Sequence, residues 1–370
     1  MTTEISLYIF CVITLWNLFW LSSKRNDYQP NALAVIIPAR NEGQQIGALL
    51  ESLKNQTLLP KKIIVCDDNS TDNTSELVKS HQQHNSTIDL VHVPSLPSGW
   101  AGKCWACYNG YLHLLKVQPD VQKIVFLDAD VRLQPKALER ITQNSKPFLS
   151  YFPSQKYTSS DIALTPLVNW LILTVLPIQL AETINNRYLV TANGQCLVFT
   201  KECYETIGTH KAVRYSFLED LDLAKLATQH GYPLALEFGN LVECRMYPNL
   251  LSAIKGFSKN LIFTHHRIQA FILLIAIVSL SIIFLNLELW WLILGQRILV
   301  SWFVKQTWWE VLLHPIQMFM LVITALASFA SRLFKLVFWK DRVYKTSETS
   351  FEETSETSFE ETFESVYQES

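Results

Sequence analysis

Between Leu33 and Asp130, short apolar runs alternate with segments of helical periodicity. "LAVIIP" (33–38), "KIIVCDD" (62–68), "DLVHVP" (89–94) and "KIVFLDAD" (123–130) read as buried strands. "EGQQIGALLESLKNQ" (42–56) carries apolar residues at 46, 49, 50 and 53, which is helical spacing. "STDNTSELVKSHQQH" (70–84) opens on cap-type residues, and "WACYNGYLHLLK" (105–116) also reads as a helix. This alternation predicts an α/β fold, a parallel sheet covered by helices. Such sheets bind ligands beyond the carboxyl ends of their strands. The chemically distinctive residues fall there: Arg40 and Glu42, Asp67 and Asp68, Lys103, then Asp128 and Asp130.

The last pair is the sharpest. In extended chain, residues i and i+2 point to one side, so Asp128 and Asp130 face one spot. Two like charges ~4 Å apart repel by roughly 4 kcal/mol at an effective dielectric of 20. A divalent metal, a Lys or Arg, or a shared proton is needed there. The first strand is followed by neither GxGxxG nor GxxxxGK[ST], which argues against a dinucleotide dehydrogenase and a P-loop enzyme. A haloacid-dehalogenase-like phosphatase would place its DxD strand early and its acidic pair late, whereas Asp67-Asp68 precede Asp128 here.

Apolar segments flank this region. Residues 5–21 form one run followed by Lys24 and Arg25, the reverse of a secretory signal's charge order. Residues 1–24 are therefore expected to be an uncleaved transmembrane anchor whose C-terminal end is cytoplasmic. Further apolar stretches at 268–285, 289–304 and 311–330 make 268–337 a C-terminal transmembrane region, one part of it re-entrant or interfacial. Residues 162–181 are an apolar insert bounded at Pro166 and Pro177, too short for a simple span and suited to the membrane surface or an acceptor entrance. Residues 246–267 mix basic and apolar positions and suit an interfacial helix. The tail, 346–370, contains "TSETSFEE" twice and is expected to be disordered. Without its eight acids the net charge turns from −2 to +6. A mildly basic body suits an anionic bilayer and lacks the concentrated basic face of a nucleic-acid binder. The chain is thus expected to be an integral membrane protein with a cytoplasmic catalytic domain over 31–245. Of the seven scattered cysteines one lies in the first apolar run, and those of the catalytic domain are expected to be reduced, with Cys104 and Cys107 packing a helix.

In order, "VIIPARNE" (35–42), "CDDNSTDNT" (66–74), "FLDADV" (126–131) and "FLEDLDLAKLATQHGY" (217–232) resemble the motifs of family 2 glycosyltransferases, which have a GT-A fold. "GWAGKCWACYNG" (99–110), "ANGQCLVFTKECYETIGTH" (192–210) and "RMYPNLLSAIKGFSKNLI" (245–262) resemble the membrane glycosyltransferases of carotenoid and hopanoid pathways. The resemblance covers roughly 33–344.

It implies a nucleotide-sugar donor held by Pro38, Arg40, Glu42, Asp68, Lys103 and Asp128, with Asp68 accepting from the base, usually uracil. Asp128 and Asp130 would hold Mg²⁺ or Mn²⁺, which suit hard oxygen ligands. Asp220 would be the catalytic base of a single inverting displacement, with Glu219 beside it; a helix N-cap is the other reading of Asp220. Lys103 is read on a flexible turn after Gly99 and Gly102, either at the diphosphate or in solvent. Asn193 and Gln195 would line the sugar and acceptor region, with Gly194 allowing close backbone approach. The implied reaction moves one sugar, with UDP-glucose the first guess, to a lipophilic membrane acceptor such as a carotenoid or other terpenoid. A transferase acting on polyprenyl phosphate is an alternative. A processive polysaccharide synthase is another, although its [QR]xxRW motif is absent and "GFSKN" stands in that region.

Overall fold

The computed structural model describes residues 2–23, 32–157, 160–184, 186, 189–263, 272–280, 287–333, 336–339, 342–346 and 351–354. Its centre is an eight-stranded sheet in the order β3-β2-β1-β4-β7-β6-β8-β5. The strands are β1 (Leu33–Ala39), β2 (Lys62–Asp67), β3 (Ile88–His92), β4 (Lys123–Leu127), β5 (Val131–Leu133), β6 (Phe148–Gln155), β7 (Cys196–Thr200) and β8 (Leu234–Cys244). The four strands expected from the apolar runs pair in parallel, β3 to β2 to β1 to β4. The sheet is not parallel throughout. β7 is antiparallel to both β4 and β6, with Leu127 opposite Cys196. This reversal brings the start of β7 to the edge where β1, β2 and β4 end.

Helices α2 (Ile46–Lys54), α3 (Thr74–His84), α4 (Gly102–Val117) and α5 (Ala137–Gln143) connect these strands. One apolar core lies under α2 and α5, with Leu49, Leu50, Leu53 and Ile141 against Val35, Val65 and Val125. The other lies under α4, with Cys104, Cys107 and Leu114 against Ile36, Ile64 and Phe126. Cys104 and Cys107 are reduced and buried, as helix packing requires. The apolar insert forms α6 (Leu167–Val175) and α7 (Ile178–Thr183), broken at Pro177, and short helices α8 (Lys201–Thr206) and α9 (Thr209–Ala212) precede α10 (Glu219–Gln229). The rest of the chain builds α11 (Leu250–Phe263), α12 (272–280), α13 (Leu287–Phe303) and α14 (His314–Leu333).

Two described helical stretches, Glu4–Ser23 and Trp308–Ala330, are long and apolar enough to cross a membrane. The first belongs to α1 (Thr2–Ser23), which exposes Ile5, Tyr8, Val12, Leu15, Trp16 and Phe19 along one side. Its other side is bonded to the insert. Asn17 donates to the carbonyls of Leu173 and Leu176 (2.8 and 2.7 Å) and accepts from the Ile178 amide at 2.9 Å. One side chain thus satisfies backbone groups on both sides of the Pro177 break. The segment at 289–304 falls in α13, where Arg297 is buried and donates to Gln317 of α14 at 2.7 Å. Within the tail, where disorder is expected, Phe351–Thr354 pairs with Arg342–Thr346, which pairs in turn with Leu336–Trp339. Residues 264–271, 281–286 and 355–370 lie outside those described, so the second span and the second repeat copy are only partly covered.

Candidate active site

The carboxyl ends of β1, β2 and β4 open into a cleft of ≈ 1240 Å³. Pro38, Arg40, Glu42, Asp68, Lys103, Asp128, Asp130, Asn193, Gln195, Glu219 and Asp220, the residues to which the resemblance assigns a role, line it, whereas Asp67 does not.

The β1 and β2 ends are cross-tied. Asn41 and Asn69 adopt left-handed conformations (φ 52° and 54°), which asparagine tolerates better than most residues. Asn41 Oδ1 accepts from the Thr71 amide at 2.8 Å, and the Asn41 amide donates to Ser70 Oγ. Asp67 and Asp72 hold this corner together. Asp67 accepts from the Ser70 amide and from Ser75 Oγ, while Asp72 accepts from the amides of Gly43 and Thr74. Burial opposes ionisation of Asp67, but these donors and His92 outweigh it and hold the carboxyl below its usual range. Asp68, 4 % exposed, faces the cleft instead, with Arg40 Nη1 donating to its carbonyl at 2.9 Å and standing 3.9 Å from Oδ2.

Asp128 lies just past β4, not within it. Asp128 to Asp130 form a turn closed by the Val131 amide donating to the Asp128 carbonyl at 3.1 Å. The turn, rather than the alternation of an extended strand, brings both carboxylates to the cleft. Antiparallel β7 supplies the neighbouring wall, and the Asp128 amide donates to the Gln195 carbonyl at 3.1 Å. Asn193 and Gln195 are committed largely to shaping this segment. Asn193 Oδ1 accepts from the Gln195 amide at 2.9 Å, and Gln195 Nε2 donates to Cys244 Sγ.

Lys103 is not on a free turn. It stands in the first turn of α4, while Gly99 takes the positive φ (+78°). Its ammonium lies 2.7 Å from Asp128 Oδ1 and 2.7 Å from Glu219 Oε1. Burial opposes its charge, but the two carboxylates outweigh burial and hold Lys103 well above the ordinary lysine range. Glu219 and Asp220 open α10, whose N-terminal dipole favours negative charge. Leu218, not Asp220, is the N-cap residue. The two acids are driven apart. Glu219 is buried, yet Lys103 holds its carboxyl below the usual range. Burial, and then the charge of Glu219, push Asp220 up to about 7. Gly194 lies over this cluster. A Cβ there would stand 3.2 Å from Glu219 Oε1, 3.2 Å from Lys103 Nζ and 3.3 Å from Asp220 Oδ2.

Among the described residues no group of three or more His, Cys, Asp or Glu forms a metal cage. Asp128 and Asp130 do fit an ion that draws its other ligands from phosphate oxygens and water, as Mg²⁺ commonly does. The opposite wall is apolar, lined by Phe152, Leu164, Leu167, Leu171, Ile272 and Leu321. Lys259 of α11 also lines the cleft. It falls within 246–267, where the mixed basic and apolar pattern does not set it apart from Lys255.

Residues 34–146 match the model of the family described as Glycosyl transferase family 2. The matched stretch runs from β1 through β4 and past the Asp128–Asp130 turn. Over 250 residues the chain is 30% identical to the 4,4'-diaponeurosporenoate glycosyltransferase of Staphylococcus aureus (strain USA300), and the same holds for strain NCTC 8325 / PS 47. That match covers 65% of this chain, and the chain spans 64% of the length of these relatives. Among solved structures, the mannosyltransferase PcManGT of Pyrobaculum calidifontis, in complex with GDP-Man and Mn²⁺, superposes with a TM-score of 0.52. The identity is 15%, and the match covers 90% of this chain and 99% of that one. The shared fold is the GT-A fold that the motifs imply.

Proposed function

We propose that the protein is an inverting, metal-dependent glycosyltransferase. It moves one sugar from a nucleotide-sugar, with UDP-glucose the first choice, to a lipophilic membrane acceptor such as a carotenoid or other terpenoid. The observation that carries this reading is the composition of the cleft: a floor of Asp128, Asp130, Lys103, Glu219 and Asp220 meets an apolar wall. A polar donor and a greasy acceptor each have a matching surface there. The name of the Staphylococcus aureus relatives, a glycosyltransferase of a carotenoid acid, supports the acceptor class.

In this reading Asp68 and Arg40 hold the base end of the donor, and Pro38 and Glu42 flank it. Asp128 and Asp130 would hold Mg²⁺ or Mn²⁺, which when bound neutralises charge on the diphosphate. Lys103 adds a fixed cation beside the same phosphates. Asp220 takes the proton of a hydroxyl acceptor as its oxygen attacks the anomeric carbon. The bond from that carbon to the diphosphate oxygen breaks on the opposite face, and the electron pair leaves with the diphosphate. A single displacement needs one carboxylate for this work, where a retaining glycosidase needs two. The apolar α1 and the 308–330 stretch would seat the enzyme in the bilayer, with the cleft on the cytoplasmic side.

Radiolabelled UDP-sugars and Mn²⁺ added to membranes containing the protein, followed by organic extraction, test this reading. Label in the organic phase with wild type and not with Asp220→Asn or Asp130→Ala supports it. Equal labelling with all three would end it, and label in an insoluble polymer would favour a synthase.

A further inference from the structure

A short piece of chain joins the Asp128–Asp130 turn to the apolar wall. β8 ends beside that turn: Cys244 pairs with Val131, and the Arg245 amide donates to the Asp130 carbonyl at 3.3 Å. The Cys244 carbonyl accepts from the Lys156 amide at 2.7 Å, which ties the same strand end to the end of β6. Asn249 already serves α11. Its Oδ1 accepts from the Ser252 amide at 2.9 Å, a side-chain cap on the helix start. Met246, Tyr247 and Pro248 lie between Arg245 and that cap, and all three line the cleft. Pro248 disfavours a helical turn at Tyr247, so the connection is extended and stiff.

Tyr247 fills the corner between this connection and α11. Its ring lies against the helix at Gly256. A Cβ there would stand 2.5 Å from both Cε1 and Cζ and closer still to Oη, where real Cβ contacts stay beyond 3.0 Å. Glycine inside a helix costs about 1 kcal/mol relative to alanine. In α11 that cost is offset by a notch that seats a buried ring. Phe257 packs edge-on against the same ring, 5.2 Å between centroids, and itself lines the cleft. α11 is tied in turn to α14, whose Leu321 belongs to the apolar wall, by Ser258 Oγ donating to the Thr324 carbonyl at 3.2 Å. We infer that Tyr247 is a positioning residue for the acceptor: its ring, seated at Gly256, sets the distance between the Asp128–Asp130 turn and the wall carried by α11 and α14. The inference rests on the transferase reading and adds what keeps the acceptor in register with the donor. No group of Tyr247 enters the bond changes. A methyl at Gly256 would part ring and helix by roughly 1 Å, and misplacements of that size cost up to about 10² in rate.

The test uses the full chain in detergent with all-trans-retinol, a polyene alcohol. Retinol binding is read by quenching of tryptophan fluorescence, UDP binding with Mn²⁺ by calorimetry, and folding by thermal unfolding. Gly256→Ala should weaken retinol binding and lower kcat/KM for retinol by about 10- to 100-fold, with UDP affinity and melting temperature unchanged. Tyr247→Leu should bring a similar loss by leaving the notch empty, and Tyr247→Phe, which keeps the ring, should restore most of it. The decisive variant is double. Gly256→Ala with Tyr247→Leu removes the ring atoms that the new methyl meets, so it should bind retinol more tightly than either single variant. Wild-type retinol binding in Gly256→Ala, a matching loss of UDP affinity, a loss that tracks a lowered melting temperature, or a double variant no better than the single ones would each overturn the assignment. If retinol binding follows the expected pattern but no nucleotide-sugar yields product in wild type, the transferase reading fails and the positioning of the polyene by Tyr247 stands.

Discussion

The ammonium of Lys103 sits 2.7 Å from Asp128 Oδ1, and its second contact, equally short, is to Glu219. One cation therefore links the end of β4 to the start of α10. In the proposed reaction the same cation faces the diphosphate, so its removal should cost chemistry as well as local order. Lys103→Met is expected to lower kcat by about 10²–10³, the usual cost of deleting one electrostatic stabiliser of developing negative charge. Organic-phase transfer rates at saturating donor check this. A variant with unaltered kcat would place Lys103 outside the reaction.

Gly194 makes a second, independent prediction. Its φ does not fall in the left-handed region, so alanine is allowed by the backbone. The obstacle is space: the new methyl would meet Glu219, Lys103 and Asp220 at 3.2–3.3 Å. Those side chains must yield by a few tenths of an ångström. Gly194→Ala should fold with stability within about 1 kcal/mol of wild type, yet lose up to about 10²-fold in rate, because small misplacements of reacting groups are expensive. Thermal unfolding and turnover of the same preparation separate the two effects. Full activity would mean that the cluster tolerates displacement and that its geometry is not tuned.

Much of this arrangement is legible in the sequence, and the exceptions have physical causes. Strand ends can be read because a buried run such as "KIVFL" stops abruptly at charged residues. The direction of β7 cannot, since an apolar run carries no polarity; yet the antiparallel pairing of β4 with β7 is what sets Asn193–Gln195 beside Asp128. Lys103 reads as a turn residue because glycines at 99 and 102 suggest one, whereas only Gly99 adopts a positive φ and Gly102 starts the helix. Lys259 is hidden by its own periodicity. Lys255 stands four residues earlier, on nearly the same helix face, and is exposed. Only the packing of α11 on α14 decides which lysine turns inward.

Asn17 ties α1 into the fold. It bonds three backbone groups around the Pro177 break, and Trp20 of the same helix donates to Glu182 at 2.8 Å. Asn17→Leu would leave those backbone groups without partners in a water-poor setting, at about 1–3 kcal/mol for each buried group. The expected result is a clear drop in thermal stability in detergent, with a larger loss of acceptor binding than of UDP binding, since α6 lines the apolar wall. Unchanged stability would mean that water or lipid replaces the side chain.

The raised carboxyl of Asp220 sets a pH dependence that differs between acceptors. Burial first, and the neighbouring Glu219 second, move it from 3.8 to about 7. A group raised in this way stays protonated until the pH passes that value, and a protonated carboxyl cannot act as a base. With an alcohol acceptor the rate should therefore rise through neutrality, by about tenfold between pH 6 and pH 8. Asp220→Asn should flatten that profile at a rate lower by about 10²–10⁴. A carboxylic acid, with an ordinary pKa of about 4–5, is already ionised over this range and offers no proton to take. Its transfer should lack the rising limb, and the approach of a second negative charge as Asp220 ionises should slow it above neutral pH. Initial rates with retinol and retinoic acid across pH 5.5 to 8.5 distinguish the two cases. A limb of equal size and midpoint for both acceptors would trace the titration to the donor side, and Asp220 would lose its place as the base.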